Sequence, residues 1–177
     1  MIYSIGHSNR SAAEFLALLR TAGVRRLVDI RARPHSRRHP QFQRPALQAA
    51  LAEAGIAYHW AGAALGGFRP AAAGSPHRAL PPGLRGYAEH MTTAVFRNAV
   101  EALLTDQGGP LALMCAERLP EDCHRRLLCD HLLVRHGVTV THLIGPDEQR
   151  PHRLSAEARP TPAGLVYDRL ASGELPF

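Results

Sequence analysis

The stretch Leu111-Ala-Leu-Met-Cys115-Ala-Glu-Arg-Leu-Pro-Glu-Asp-Cys123-His-Arg125, continuing as Arg126-Leu-Leu-Cys-Asp-His-Leu-Leu-Val-Arg-His136, decides the fold. Leu111, Ala112, Leu113 and Met114 form a short unbroken apolar run, the pattern of a strand covered on both faces. Leu128 and Leu132 then recur at helical spacing, and Gly137 stands where a helix end takes a left-handed residue. Strand, turn and helix follow one another, with Asp122 as the expected N-cap. The turn gathers thiols, a carboxylate, an imidazole and a guanidinium. In open α/β proteins such turns lie at the carboxyl edge of the sheet, where ligands bind.

The same alternation extends in both directions. Residues 2–5 read as a first strand. Ser11 and Glu14 form a capping box ahead of a stripe of Phe15, Leu18, Leu19 and Ala22, which Gly23 ends. Residues 27–30 are a second strand. Pro45 suits the first position of a helix that turns Leu47, Ala50, Leu51 and Ala54 inward. Residues 56–58 are a third strand, and 138–143 a fifth. Residues 61–82 form a long connection with Gly66-Gly67, and 86–105 read as one helix. The expectation is an α/β fold: a single three-layer domain over residues 1–144, with a mostly parallel five-stranded sheet and helices on both faces. Residues 145–177 are a Pro-rich C-terminal extension packed on or near it, with one short helix around 165–170.

Composition narrows the class. The chain has 177 residues, 45% apolar and 20% charged, ordinary for a globular domain. No apolar run approaches the roughly 20 residues that span a bilayer. The first residues lack a basic region and a small-residue cleavage site, so a cytoplasmic protein without membrane contact is expected. Three cysteines, Cys115, Cys123 and Cys129, are too few and odd in number for a disulfide framework. All 21 basic residues are Arg, and the net charge is +6. Arg25, Arg26, Arg31, Arg33, Arg37, Arg38 and Arg44 share one window with His35 and His39, where Asp29 is the sole acid. Such a window suits a nucleotide or nucleic acid, and equally a solvated loop.

Several strand ends carry groups with chemical potential. A thiol near a helix N-terminus gains from the free N–H groups and the dipole, which makes Cys123 a candidate. His124 is a candidate acid or base, and Arg125 a phosphate holder unless it pairs with Glu121. Cys115 reads as a core cysteine or a nucleophile, and Cys129 as core. Asp29 and Arg31 are expected on alternate faces of a strand end, as ligand groups or as a salt bridge. Zinc is an open alternative, with Cys115, Cys123, His124 and His7 as donors, but the spacing is neither CxxC nor HxxxH. No metal or other cofactor is assigned. Phe68, Trp60 and the long connection would suit a homodimer patch.

Ile5-Gly-His-Ser-Asn9, Leu27-Val-Asp-Ile-Arg31 with Pro34 and Ser36, Pro40-Gln-Phe42, Leu65-Gly-Gly67, and Met114-Cys-Ala-Glu117 with Cys123-His-Arg125 occur in this order. Together they resemble the domain of unknown function 488 family. The resemblance covers about residues 1–143 and implies a compact α/β fold with a shared polar site. Carried onto this chain, catalytic candidates are Cys115, Glu117, Cys123 and His124. Ligand-binding candidates are His7, Ser8, Asn9, Asp29, Arg31, Ser36 and Arg125. The resemblance implies no reaction. The first reading is an enzyme of the hydrolase or transferase class acting on a phosphate-bearing ligand. The alternatives are a non-catalytic nucleic-acid-binding module, and thiol or metal-thiolate chemistry at Cys115 and Cys123.

Overall fold

The computed structural model describes residues 1–106 and 108–169. The chain runs β1 (Ile2–Gly6), α1 (Ala12–Thr21), β2 (Arg26–Asp29), α2 (Arg44–Glu53), β3 (Ala57–Trp60), α3 (Gly62–Leu65), α4 (Pro82–His90), α5 (Ala94–Thr105), β4 (Leu111–Cys115), α6 (Arg125–His136) and β5 (Val140–Gly145). Three further strands follow: β6 (Glu148–Pro151), β7 (Ala158–Thr161) and β8 (Gly164–Tyr167). The main sheet has six strands in the order β3-β2-β4-β1-β5-β6. The first five are parallel; β6 adds antiparallel to β5.

Strand pleating sorts the core into two layers. Ala112 and Met114 of β4 face the layer of Phe15, Leu19, Leu47 and Leu51, contributed by α1 and α2. Leu111, Leu113 and Cys115 face the opposite layer, with Tyr87, Phe96, Val100, Leu128 and Leu132 from α4, α5 and α6. The expected three-layer α/β class is therefore what forms. Chain order makes the sheet bidirectional: β1 to β3 progress toward one edge through α1 and α2, then β4 and β5 return through helices on the other face. The helices after β1 and β2 thus lie on the face opposite to the helix after β4. The carboxyl ends of β1, β4 and β2 flank the reversal point, where such sheets hold ligands.

The details depart from expectation in four places. The sheet has a sixth strand, antiparallel and edge-lying, where an extension was expected to wrap the surface. In place of a helix around 165–170, β7 and β8 form a hairpin whose Leu165 and Tyr167 pack into the core; Leu170 lies outside the described residues. The helix expected over 86–105 is two, because the Thr93 hydroxyl accepts from Phe96 N and caps a new start. Asp122 does not cap α6: it ends a 3₁₀ turn, Pro120–Asp122, and His124 precedes the helix. Among the described residues no helix is long and apolar enough to cross a membrane.

Candidate functional site

Cys115 is the last residue of β4, and its register partner is Gly6 at the end of β1. Gly6 is required there, because a Cβ would collide with the carbonyl oxygen of Glu117. His7 N and Ser8 N then donate to the carbonyls of Cys115 and Ala116 at 3.0 and 2.8 Å, zipping the two loops together. Pro120 starts a 3₁₀ turn that brings the chain back, so Cys123 and His124 return beside Cys115.

The three side chains converge. His124 Nδ1 lies 3.7 Å from Cys115 Sγ and 3.6 Å from Cys123 Sγ. The two sulfurs and a His124 ring nitrogen all lie within 4.8 Å of one another, and all three residues are buried. His124 Nε2 is 3.2 Å from the carbonyl of Ile30, at the end of β2. Only an N–H can serve a carbonyl, so Nε2 carries a proton, and Nδ1 faces both sulfurs. Tyr87 stands edge-on to the imidazole at 4.8 Å, with its hydroxyl donating to Leu65 O. Gly67 closes the remaining side: a Cβ there would sit 3.0 Å from Nδ1.

Electrostatics separate the two thiols. The Cys123 S–H, His124 and Arg125 hold Cys115 well below the ordinary thiol range, against its desolvation. Burial pushes Cys123 well above it. Cys129, as expected, is a core residue, with burial raising its thiol to about 12.

The two arginines expected to hold phosphate both donate hydrogen bonds within the protein, though the buried Nε of Arg125 has no partner among the described residues. Arg31 and Asp29 share a face rather than alternate, as residues two apart on an extended chain must. The Arg31 Nε and Nη2 groups donate to the two Asp29 carboxylate oxygens at 2.9 and 2.6 Å, and Nη1 donates to Phe42 O at 2.9 Å. Arg125 is fully buried and donates to the carbonyls of Glu117 and Arg118, both at 3.2 Å, rather than pairing with Glu121. Both arginines brace the loops that shape the site.

The remaining candidates divide. His7 is buried and stacked on Phe42 at 4.5 Å, and its Nδ1 donates to Ser8 O. Desolvation lowers it to about 4, so it is neutral near pH 7. It lies next to Cys115 through the backbone but outside the Cys-Cys-His cluster. Ser8 takes a left-handed φ of 49° and, with exposed Asn9, forms the surface of that turn. The Ser36 hydroxyl accepts from His39 N and shapes its own loop. Glu117 is exposed.

Sequence reasoning missed Tyr87, Gly67 as a wall, and the Ile30 carbonyl, all supplied by elements distant in the chain. It also missed a buried polar chain. Ser4 Oγ meets His142 Nδ1 at 2.6 Å, His142 Nε2 meets His152 Nδ1 at 3.0 Å, and His152 Nε2 meets Asp130 Oδ1 at 3.0 Å. Ser155 and Tyr167 also donate to Asp130. A cavity of about 520 Å³ opens beside it, lined by His142, His152, Arg150 and Arg153. His142 and His152 are each bonded at both ring nitrogens, so this polar array clamps β6 and the hairpin onto the sheet.

No curated protein and no solved structure matches the chain. Residues 11–132 match the family described as Domain of unknown function DUF488, a span that holds the β4–α6 turn and omits His7, Ser8 and Asn9. That match covers more than half of the chain, which therefore belongs to the DUF488 family.

Proposed function

We propose that this chain is a zinc enzyme of the hydrolase or transferase class, with Cys115, Cys123 and His124 holding one zinc(II) ion. The observation that carries the reading is the spacing of the three donors. A tetrahedral zinc with Zn–S of about 2.3 Å and Zn–N of about 2.05 Å needs S···N edges of about 3.6 Å. The observed edges are 3.6 and 3.7 Å. The second support is the Nε2 bond to Ile30 O, the outer partner that orients ligating histidines. The third is Gly67, which leaves space beside Nδ1 that any side chain would fill. Two thiolates balance the charge of the ion, so a buried site suits it.

Three protein ligands leave a fourth position for water or substrate, the pattern of catalytic rather than structural zinc. Zinc there would lower the pKa of bound water or polarise a substrate oxygen. Glu117, two residues beyond Cys115, is the acid-base candidate that remains once His124 is a ligand. A phosphate-bearing substrate stays within this reading, with its charge met by exposed arginines rather than by Arg31 and Arg125.

The depressed pKa of Cys115 favours a second reading, a metal-free thiolate nucleophile. Elemental analysis of protein purified without chelator separates them. The zinc reading expects about one zinc per chain, lost in Cys115→Ser and in His124→Ala. Zinc-free protein in which Cys115 alone reacts rapidly with iodoacetamide would replace it with the second.

A further inference from the structure

We infer that the substrate side of this site is built for single-stranded nucleic acid, gripped by Arg33, Arg37 and Arg38 and stacked on Phe68. The inference deepens the enzyme reading and rests on it for what happens to the bound strand, though not for binding itself.

Two loops flank the Cys-Cys-His cluster, and both begin at residues touching His124. The loop after β2 starts beyond Ile30, whose carbonyl receives Nε2. The loop after α3 contains Gly67, which lies against Nδ1. The loops also touch each other: a Cβ on Gly66 would come within 2.7 Å of Ala32 Cα. The two loops therefore leave the cluster side by side.

The first loop carries charge of a single sign. From residue 30 to residue 52 there is no Asp or Glu. Arg31 is neutralised by Asp29, and Arg44 lies over the Tyr58 and Trp60 rings, 5.9 and 5.4 Å from their centroids. Arg33, Arg37 and Arg38 are exposed, and among the described residues their guanidinium groups bond to nothing. Three unpaired arginines on one acid-free loop are complementary to a chain of phosphates.

The second loop carries an aromatic ring. Phe68 is 88% exposed and takes a φ of 58°, a conformation costly for a bulky side chain. Its neighbours explain the turn: Arg69 is tied back to Gly66 O and Ala63 O. The ring is held out into solvent one residue from the glycine that covers His124. An exposed aromatic beside a basic track is how proteins hold unpaired bases without reading their sequence.

Fluorescence anisotropy with labelled DNA and RNA single strands of roughly 12 nucleotides, and the matching duplex, tests this. Titrations run from about 50 to 300 mM NaCl. Saturable binding is expected, tighter for single strands, with log K falling against log salt with a slope near −2 from three phosphate contacts. Arg37→Ala and Arg38→Ala should each make the slope shallower by about 0.7. Phe68→Ala should weaken single-strand binding by about 5- to 150-fold, and Phe68→Trp should restore it. These are surface changes, and zinc content measured on the same samples should not move. No saturable binding at the lowest salt, equal or tighter duplex binding, or full affinity in Phe68→Ala would each overturn the inference. Zinc-loaded protein that binds no oligonucleotide defeats this inference alone; zinc-free protein that binds one defeats the metal reading alone.

Discussion

Asp29→Asn tests whether the Asp29–Arg31 pair is scaffold or ligand site. The Asp29 carboxylate accepts four bonds, from Arg31 N, Arg31 Nε, Arg31 Nη2 and the Tyr58 hydroxyl, at 3.0, 2.9, 2.6 and 2.9 Å. The two side chains are 0% and 6% exposed. Removing one charge of such a pair leaves the other buried and uncompensated, at a cost of about 3–5 kcal/mol. For a chain of this size each kcal/mol lowers Tm by about 2–4 °C, so the melting temperature should fall by about 6–20 °C. Replacing the whole pair, Asp29→Asn with Arg31→Met, should recover much of the loss, because no charge is then stranded. Urea titration read by tryptophan fluorescence and circular dichroism supplies both free energies, with an unchanged m-value showing that the unfolded state is unaltered. A loss within about 0.5 kcal/mol for Asp29→Asn would refute the reasoning. Arg31 would then have another counter-ion or solvent access, and its guanidinium would be available to a ligand.

Three further outcomes follow from the same geometry. Asp130→Asn should destabilise by about 3 kcal/mol, since it disturbs a buried acceptor of four bonds. Limited proteolysis should then cut first within residues 146–169. Burial lowers His131 to about 4 and His142 to about 3, so the unfolded chain takes up protons that these rings refuse. Their contribution is fully present above pH 6.5 and is lost as pH falls, by up to about 1.4 kcal/mol per pH unit each. Urea midpoints at pH 7.5 and 5.0 should show the drop, and equal midpoints would contradict it. Gly67→Ala, at a φ open to alanine, should leave the fold stable and weaken zinc binding by about 10- to 100-fold; competition with a chromogenic chelator reads this directly.

Much of this architecture is legible in the sequence because the parallel strands are short apolar runs and the helices carry one apolar stripe. The failures have physical causes. Glu148-Gln-Arg-Pro151 is exposed throughout, so its pairing to β5 leaves no apolar signature. The break between α4 and α5 had a local signal in the Thr93 cap, hidden by a continuous apolar pattern across it. Within the site, Cys115, Cys123 and His124 could be read because one turn carries all three. Arg31 and Arg125 could not be placed, since an arginine's availability depends on its tertiary partners: here Asp29, and the carbonyls of Glu117 and Arg118. Tyr87, Gly67 and the Ile30 carbonyl meet His124 only through folding, and no local spacing announces them.

The most direct test of the proposed metal-thiolate site is the absorption spectrum of the protein loaded with cobalt(II), recorded for wild type, Cys115→Ser, Cys123→Ser and Cys129→Ser. Wild type and Cys129→Ser should show an intense near-ultraviolet thiolate-to-cobalt band and visible bands of tetrahedral cobalt, and the other two a weaker band or none. A cobalt spectrum of the hexaaqua ion in wild type, or a tetrahedral thiolate spectrum untouched by Cys115→Ser and Cys123→Ser, would contradict the metal reading.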